Sequence, residues 1–246
     1  MSSARHKAAK DAVPKLLNPA QRLVALESSA WFAGLPIELK TWLAENTTPL
    51  LFSAGQRLFG PGDAPDGICF VVEGAVRVAT TTSDGREALL AFAEPPQWFG
   101  ELALFDGAAR SHEGWAQSDC VLLRVPQRSL VEFLDQHPVH WKAFGQLVAQ
   151  KLRLAFRAIE DATLLAPPVR LAHRILAIAH GYSDWNGPSR RVINVQQDHL
   201  GSMLGLSRQT VNQILKDFEA RGFLRRTRGS IEIVDLEQFK RFAAEE

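Results

Sequence analysis

Hydrophobic and polar positions alternate in short runs through the first half of the chain and recur at helical spacing through the second. Val76, Val78 and Thr80 alternate with Arg77, Ala79 and Thr81, the period of two expected of a half-buried strand. Comparable β-rich runs cover residues 68–72, 75–82, 88–92 and 120–125. Nine of the 17 glycines lie within residues 55–114, and Gly60-Pro61-Gly62-Asp63 and Ser83-Asp84-Gly85-Arg86 carry turn chemistry between the runs. Many short strands without a helix-length segment between them predict a small antiparallel barrel or roll.

From Pro138 to about Ala162 the pattern changes. Trp141, Gly145, Val148, Leu152, Ala155, Ile159 and Ala162 follow at alternating steps of four and three, a seam along which two helices could pair. The alternative is an amphipathic helix lying on its own roll. Ala166-Pro167-Pro168 ends this helix, because proline lacks a donor and restricts its predecessor. A helical pattern resumes over 169–179, residues 181–189 are turn-rich, and Val192-Ile193-Asn194-Val195 reads as a short strand.

The next segment, Gln197 to Lys216, has the spacing of a helix-turn-helix. Leu200 and Leu204 line one face of a first helix, and Gly201 allows close packing. Gly205 supplies the turn, Leu206 plugs the core and Ser207 caps a second helix. Val211, Ile214 and Leu215 bury the inner face of that helix. Arg208, Gln209, Asn212 and Gln213 are left pointing outward. Arginine suits guanine in a major groove, while Asn and Gln suit adenine. Arg225-Arg226-Thr227-Arg228-Gly229-Ser230, followed by alternating Ile231 and Ile233, reads as a β-hairpin wing that sets Arg226 and Arg228 at phosphate height. The plainer reading is a helical hairpin packed for stability, with a solvated basic turn.

Composition narrows the class. The chain has 246 residues, 46% of them hydrophobic, enough for one large or two smaller globular domains. Its 28 Lys and Arg nearly balance 27 Asp and Glu, yet the charges are segregated. Residues 28–137 carry a net −7, against +3 for 1–27, +2 for 138–166 and +3 for 167–246. An acidic middle before a basic end suggests two modules, the second facing a polyanion. No run of about 18 apolar residues would span a bilayer. The basic start, Met1 to Lys10, lacks the apolar stretch of a secretion signal, and two cysteines make neither a metal cage nor a disulfide framework. A cytoplasmic protein is expected.

One segment breaks the strand rhythm: Phe99-Gly100-Glu101-Leu102-Ala103-Leu104-Phe105-Asp106-Gly107-Ala108-Ala109-Arg110-Ser111. Glu101 to Phe105 would form about one helical turn after a glycine, and a helix start presents N–H groups suited to a phosphate. Arg110 and Ser111 could close on the same anion, and Glu101 could accept hydrogen bonds from sugar hydroxyls. The same residues would also fit a plain β-turn with a surface arginine and a solvated glutamate.

This segment resembles the phosphate-binding cassette of the Crp/Fnr family of cyclic-nucleotide-binding regulators. The surrounding Trp31-Phe32-Ala33-Gly34-Leu35, Gly55-Gln56-Arg57-Leu58-Phe59 and Val71-Val72-Glu73-Gly74 resemble that family's β-roll. The resemblance implies that Glu101 binds a ribose hydroxyl, that Gly100, Leu102 and Ala103 offer backbone N–H, and that Arg110 and Ser111 hold a cyclic phosphate. The chain departs from the family pattern after Arg-Ser, where His112, Glu113 and Gly114 stand; Glu113 is expected to repel an anion or to pair with Arg110. The family's two adenine-contacting positions on the long helix fall on Ala155 and Phe156, neither of which offers that hydrogen bond. A cyclic nucleotide is therefore the candidate effector, with another nucleotide or no ligand left open. Residues 167–236 resemble the family's winged helix, with Arg208 at its guanine-reading position and Gln209 and Gln213 in place of charged residues.

Together these readings predict an α+β chain: an arm (1–27), a jelly-roll-like antiparallel β-roll sensor (28–137), a dimerisation helix (138–166) and a winged helix-turn-helix (167–246). The expected function is an effector-responsive transcription factor that binds a palindromic duplex as a homodimer. The resemblance also implies contact with RNA polymerase. Neither a required cofactor, a metal, a membrane nor catalysis is expected, since no Walker loop, His-Glu-x-x-His or Gly-x-Ser-x-Gly occurs. The alternatives are a nucleotide-independent regulator of the same build and a nucleotide-binding regulatory subunit without DNA contact.

Overall fold

The computed structural model describes residues 18–81, 84, 87–181, 191–227 and 229–244. The chain divides into two compact units, residues 1–78 with 92–149 and residues 79–91 with 150–246. In chain order the elements are α1 (Pro19–Leu26), α2 (Ala30–Ala33), α3 (Ile37–Glu45), β1 (Thr48–Phe52), β2 (Arg57–Phe59), β3 (Gly67–Glu73), β4 (Val76–Thr81), β5 (Glu87–Ala93), β6 (Trp98–Phe99), α4 (Ala103–Asp106), β7 (Glu113–Ala116), β8 (Cys120–Pro126) and α5 (Gln127–Gln136). A 3-10 turn at Pro138–His140 leads into α6 (Trp141–Leu164). The remaining elements are α7 (Pro167–Ala179), β9 (Val192–Ile193), α8 (Gln197–Leu204), α9 (Arg208–Ala220), β10 (Leu224–Thr227), β11 (Ser230–Ile233) and α10 (Leu236–Ala244).

Two four-stranded sheets, ordered β1-β8-β3-β6 and β2-β7-β4-β5, make the roll. The β1–β8, β8–β3, β3–β6 and β2–β7 pairings are antiparallel. Strand β3 is buried on both faces. Ile68 and Phe70 join Trp98, Leu123 and Val125 against the helices, where Leu26, Phe32, Leu39, Leu130 and Phe144 complete one core. Cys69 and Val71, one residue out of phase, meet Val76, Phe99, Ala116 and Leu122 inside the roll. The pattern expected at 76–81 is less regular than a period of two. Val76 and Ala79 are both fully buried although an odd spacing puts them on opposite faces.

Gly67, at the start of β3, occupies a position that only glycine can take. Its φ is +130°, and an added Cβ would stand 1.9 Å from the Val125 carbonyl oxygen, so no side chain fits.

Helix α6 carries two different faces. Phe144 and Leu147 are buried, whereas Leu152, Phe156 and Ile159 are 51%, 53% and 62% exposed. The helix stops at Leu164, and α7 then begins with Pro167 and Pro168 in its first turn, positions whose N–H groups would have no helical partner anyway. Ala172, Ile175, Leu176 and Ala179 form the buried stripe of α7.

The winged unit is a three-stranded sheet, β10-β11-β9, beside α8, α9 and α10. The strand expected over 192–195 contracts to Val192–Ile193, which pairs with β11 at Glu232 and Ile231. Phe218, Phe223 and Phe239 are buried together, with ring centroids 5.3–6.1 Å apart. The turn-rich 182–189 and the tip of the Ser83–Arg86 turn lie outside the described residues, apart from Asp84.

Candidate functional site

The cassette begins where β6 ends. Gly100 has φ +95°, and a Cβ there would lie 2.6 Å from the Gly67 carbonyl oxygen and 2.8 Å from Arg110 Nη1. Glycine is required both by the backbone and by the arginine packed on it. Helix α4 is the expected single turn, one or two residues later than the sequence suggests, and it ends on Gly107 at φ +62°. Its first carbonyl, Ala103, accepts from Gln127 Nε2 at 2.7 Å. Glu101 is 4% exposed, whereas Leu102 and Ser111 face solvent.

Arg110 is held from several sides. Its backbone N–H donates to the Asp63 carbonyl at 2.9 Å, and its own carbonyl accepts from the Gly62 N–H at 2.8 Å. Its side chain is only 9% exposed and pairs with Asp66 at 2.6 Å. The same nitrogen, Nη2, donates to the Gly67 carbonyl at 2.9 Å, and the guanidinium stands 4.9 Å from the centroid of the Phe59 ring. Asp66 also engages Arg124, at 3.3 Å. The carboxylate beside Arg110 is thus Asp66 and not the expected Glu113, whose Oε2 instead accepts from Trp115 Nε1 at 2.9 Å. Strand β7 carries Glu113 and Trp115 two residues apart, so both lie on one face and bond each other. Ser111 Oγ lies 2.8 Å from His112 Nδ1.

The two buried cysteines are poor nucleophiles. Burial, with Asp66 adding to it, pushes the Cys69 thiol up to about 12. Cys120 is raised in the same direction, mainly by burial, and its Sγ donates towards the carbonyls of Ala75 and Ser118.

At the other end of the chain, α8 and α9 meet as the sequence predicts. Gly205 adopts φ +64°, and the Leu206 N–H donates to the Gly201 carbonyl at 2.9 Å. A Cβ on Gly201 would come within 2.7 Å of the Leu206 carbonyl oxygen, so the turn itself demands glycine there. Ser207 caps α9 by accepting from the Thr210 N–H at 3.0 Å. Val211, Ile214 and Leu215 are buried.

Arg208, Gln209 and Gln213 are exposed, and Arg208 reaches Asp198 of α8 at 3.4 Å. Asn212 differs: it is half-buried, and its Oδ1 accepts from Arg226 Nη1 at 2.8 Å. Arg226 is accordingly not presented as a free cation. Its Nε and its backbone N–H both donate to the Glu219 carboxylate at 2.8 Å. That backbone N–H, then the guanidinium, hold the Glu219 carboxyl below the usual carboxylate range. In the wing, Arg225 is exposed and pairs with Glu232 at 3.3 Å, while Arg228 lies outside the described residues. Nothing in the spacing of the sequence marked Asp66 or Glu219 as the partners of these arginines.

Among the described residues no group of three potential ligands could hold a metal ion, and no helix is long and apolar enough to cross a membrane.

The family described as cyclic nucleotide-binding domain matches residues 49–137, and the Crp-like helix-turn-helix domain matches residues 169–242. Over 213 residues the chain is 27% identical to the CRP-like cAMP-activated global transcriptional regulator of Mycobacterium tuberculosis, covering 86% of this chain and 95% of that one. It is 24% identical to the cAMP-activated global transcriptional regulator Vfr of Pseudomonas aeruginosa, over 70% of this chain and 83% of the relative. A CRP/FNR-family transcriptional regulator from Thermus thermophilus superposes with a TM-score of 0.61 at 26% identity, covering 80% of this chain and 98% of that one. FixK2 from Bradyrhizobium japonicum shares the fold, with a TM-score of 0.70 at 21% identity over 79% and 96% of the two chains.

Proposed function

We propose, from the premise that the chain belongs to the Crp/Fnr family of transcriptional regulators, that it reads a two-fold-symmetric DNA site as a homodimer under control of a small ligand in the β-roll. Ligand-gated DNA binding, not catalysis, is the activity of this family. The cytoplasm is the expected place of action. What remains particular to this chain is which residues carry it.

One observation carries the DNA assignment. The exposed start of α9 presents Arg208 and Gln209, with Gln213 a turn later, from a helix that Ser207 caps and Gly205 turns. Helix α9 is the element to enter a major groove, with Arg208 reading guanine and the glutamines reading adenine. The Arg226 guanidinium holds α9 and the wing together through Asn212 and Glu219, while Arg225, exposed and only ion-paired to Glu232, can exchange that carboxylate for a phosphate. Arg228 belongs to the same wing by sequence.

Leu152, Phe156 and Ile159 supply the seam for a second copy, since exposed apolar residues at this spacing are those that pair helices. Two-fold symmetry would then set half-sites about one helical turn apart. The relatives above are named as cAMP-activated, and the cassette at Gly100, Glu101, Leu102, Ala103, Arg110 and Ser111 is the place for a cyclic nucleotide here. Contact with RNA polymerase is expected for a family member bound beside a promoter.

Selection of bound sequences from random duplexes, repeated with cyclic AMP, cyclic GMP and cyclic di-GMP, tests this reading. An enriched palindrome is the expected result, and enrichment of no sequence under any of these conditions would overturn it.

A further inference from the structure

We propose that His173 is a positioning residue, which in its protonated form locks the winged helix to the last turns of the long helix and so favours DNA recognition. The proposal rests on the DNA-binding reading above.

The geometry is specific to one imidazole. His173 lies on α7 with its side chain 19% exposed, and its Nδ1 stands 2.9 Å from Asp161 Oδ1 on the last turns of α6. Its Nε2 lies 2.8 Å from the carbonyl oxygen of Ala243, in the last turn of α10. Both neighbours are acceptors, one a carboxylate and the other a carbonyl. A neutral imidazole carries a single N–H, whereas the imidazolium carries two. Only the charged ring can therefore donate to α6 and α10 together.

Three residues earlier, on the same side of α7, Arg170 makes a parallel bridge. Its Nη1 donates to the Ala162 carbonyl at 3.3 Å and its Nη2 to the Leu204 carbonyl at 3.2 Å. Both side chains line a cavity of about 380 Å³ whose walls include Leu154, Ala158 and Met203. Where packing is this open, hydrogen bonds at the rim do much of the holding. Arginine stays charged at every physiological pH, so the Arg170 bridge is constant. The His173 bridge is the one that protons can make or break.

The other charges around the ring do not replace it. Arg157, Glu160 and Arg174 share the cavity wall with Asp161. On α10, Lys240 lies 4.0 Å from Glu237, and Arg241 donates to the Glu237 carbonyl. On α8 and α9, Asp198, Asp217 and Glu219 are engaged by Arg208, Arg221 and Arg226.

Fixing the winged unit on α6 reduces the ordering needed at the operator, so specific affinity should fall as pH rises and the ring loses its second N–H. The test uses the full chain and two readouts. Nitrogen-15 NMR of the imidazoles, with the His173 signal assigned by its loss in His173→Gln, should show both ring nitrogens protonated at the pH where operator affinity is greatest. Operator affinity relative to random DNA should drop about fivefold between pH 6 and 8.5 in the wild type. In His173→Gln it should stay level. Asp161→Asn, which keeps an acceptor and loses the charge, should move the drop to lower pH. A neutral His173 ring at the pH of greatest operator affinity, or a wild-type slope retained in His173→Gln, overturns the proposal. A doubly protonated ring in a chain that binds no specific duplex at any pH instead sinks the DNA-binding reading, and the positioning role with it.

Discussion

Asp66 holds Arg110 through a contact of 2.6 Å, and its other carboxylate oxygen lies 3.3 Å from Arg124. The arginine meant to close on a cyclic phosphate is therefore already matched by an internal anion. Asp66 is 45% exposed on its side chain, so the pair is open to exchange with a ligand.

Competition between the two anions gives the first expectation. Arg110→Ala should abolish measurable cyclic nucleotide binding in calorimetry, while Asp66→Asn should tighten it by about tenfold, the equivalent of about 1.4 kcal/mol. Unchanged affinity in Arg110→Ala would remove the phosphate role from this residue.

Arg208 and Arg226 should separate cleanly. Arg208→Ala is expected to weaken specific DNA binding by about 1–3 kcal/mol and to leave random-sequence affinity nearly unchanged. Arg226→Ala leaves Glu219 and Asn212 without their partner and should instead lower thermal stability, by about 1–3 kcal/mol. Equal losses on specific and random DNA for Arg208→Ala would make it a mere phosphate contact.

The Glu219 carboxyl supplies a pH signature. Its folded value is depressed, chiefly by the Arg226 backbone N–H, so its contribution to stability is present above the unfolded carboxylate value of about 4.3. It is lost as pH falls through the folded value. Glu219→Gln should thus be less stable than wild type at pH 7, by about 1 kcal/mol, and the gap should close as pH falls through the folded value. Melting curves across the acid range decide the matter.

Cys69 and Cys120 should resist thiol reagents at pH 8, since both are buried and raised, Cys69 to about 12. Labelling in denaturant should be at least about a hundredfold faster. Rapid labelling of Cys69 in the native chain would contradict its burial in the roll.

A charge in the exposed seam of α6 tests assembly. Ile159→Asp should convert a dimer into a monomer in sedimentation and remove operator binding while leaving the melting of the β-roll unchanged. A dimer that survives the substitution places the interface elsewhere.

Much of this protein was legible from spacing alone. Strands β3, β4, β5 and β8 were marked by β-rich runs and glycine punctuation, though not by strict alternation, and α6 by its four-three steps. The turn at Gly205 and the cap at Ser207 follow from the local chemistry of positive φ and of an unpaired N–H. Such features depend on residues a few positions apart, and a linear pattern records them. Gly201 is a partial case: smallness was readable there, but the Leu206 carbonyl that enforces it was not.

Side-chain partnership was decided by the folded chain. Asp66 meets Arg110 across 44 residues, and His173 meets the Ala243 carbonyl across 70. Arg226 reads in the sequence as one more cation of a basic wing, yet the hairpin brings it back against Glu219 and Asn212. A charged group binds whichever opposite charge the backbone delivers within about 4 Å, and that distance is set by strand register and helix packing. The order of residues thus determined which elements form and which ones carry candidate chemistry. Only their tertiary placement decided which of those charges remain available to a ligand or a duplex.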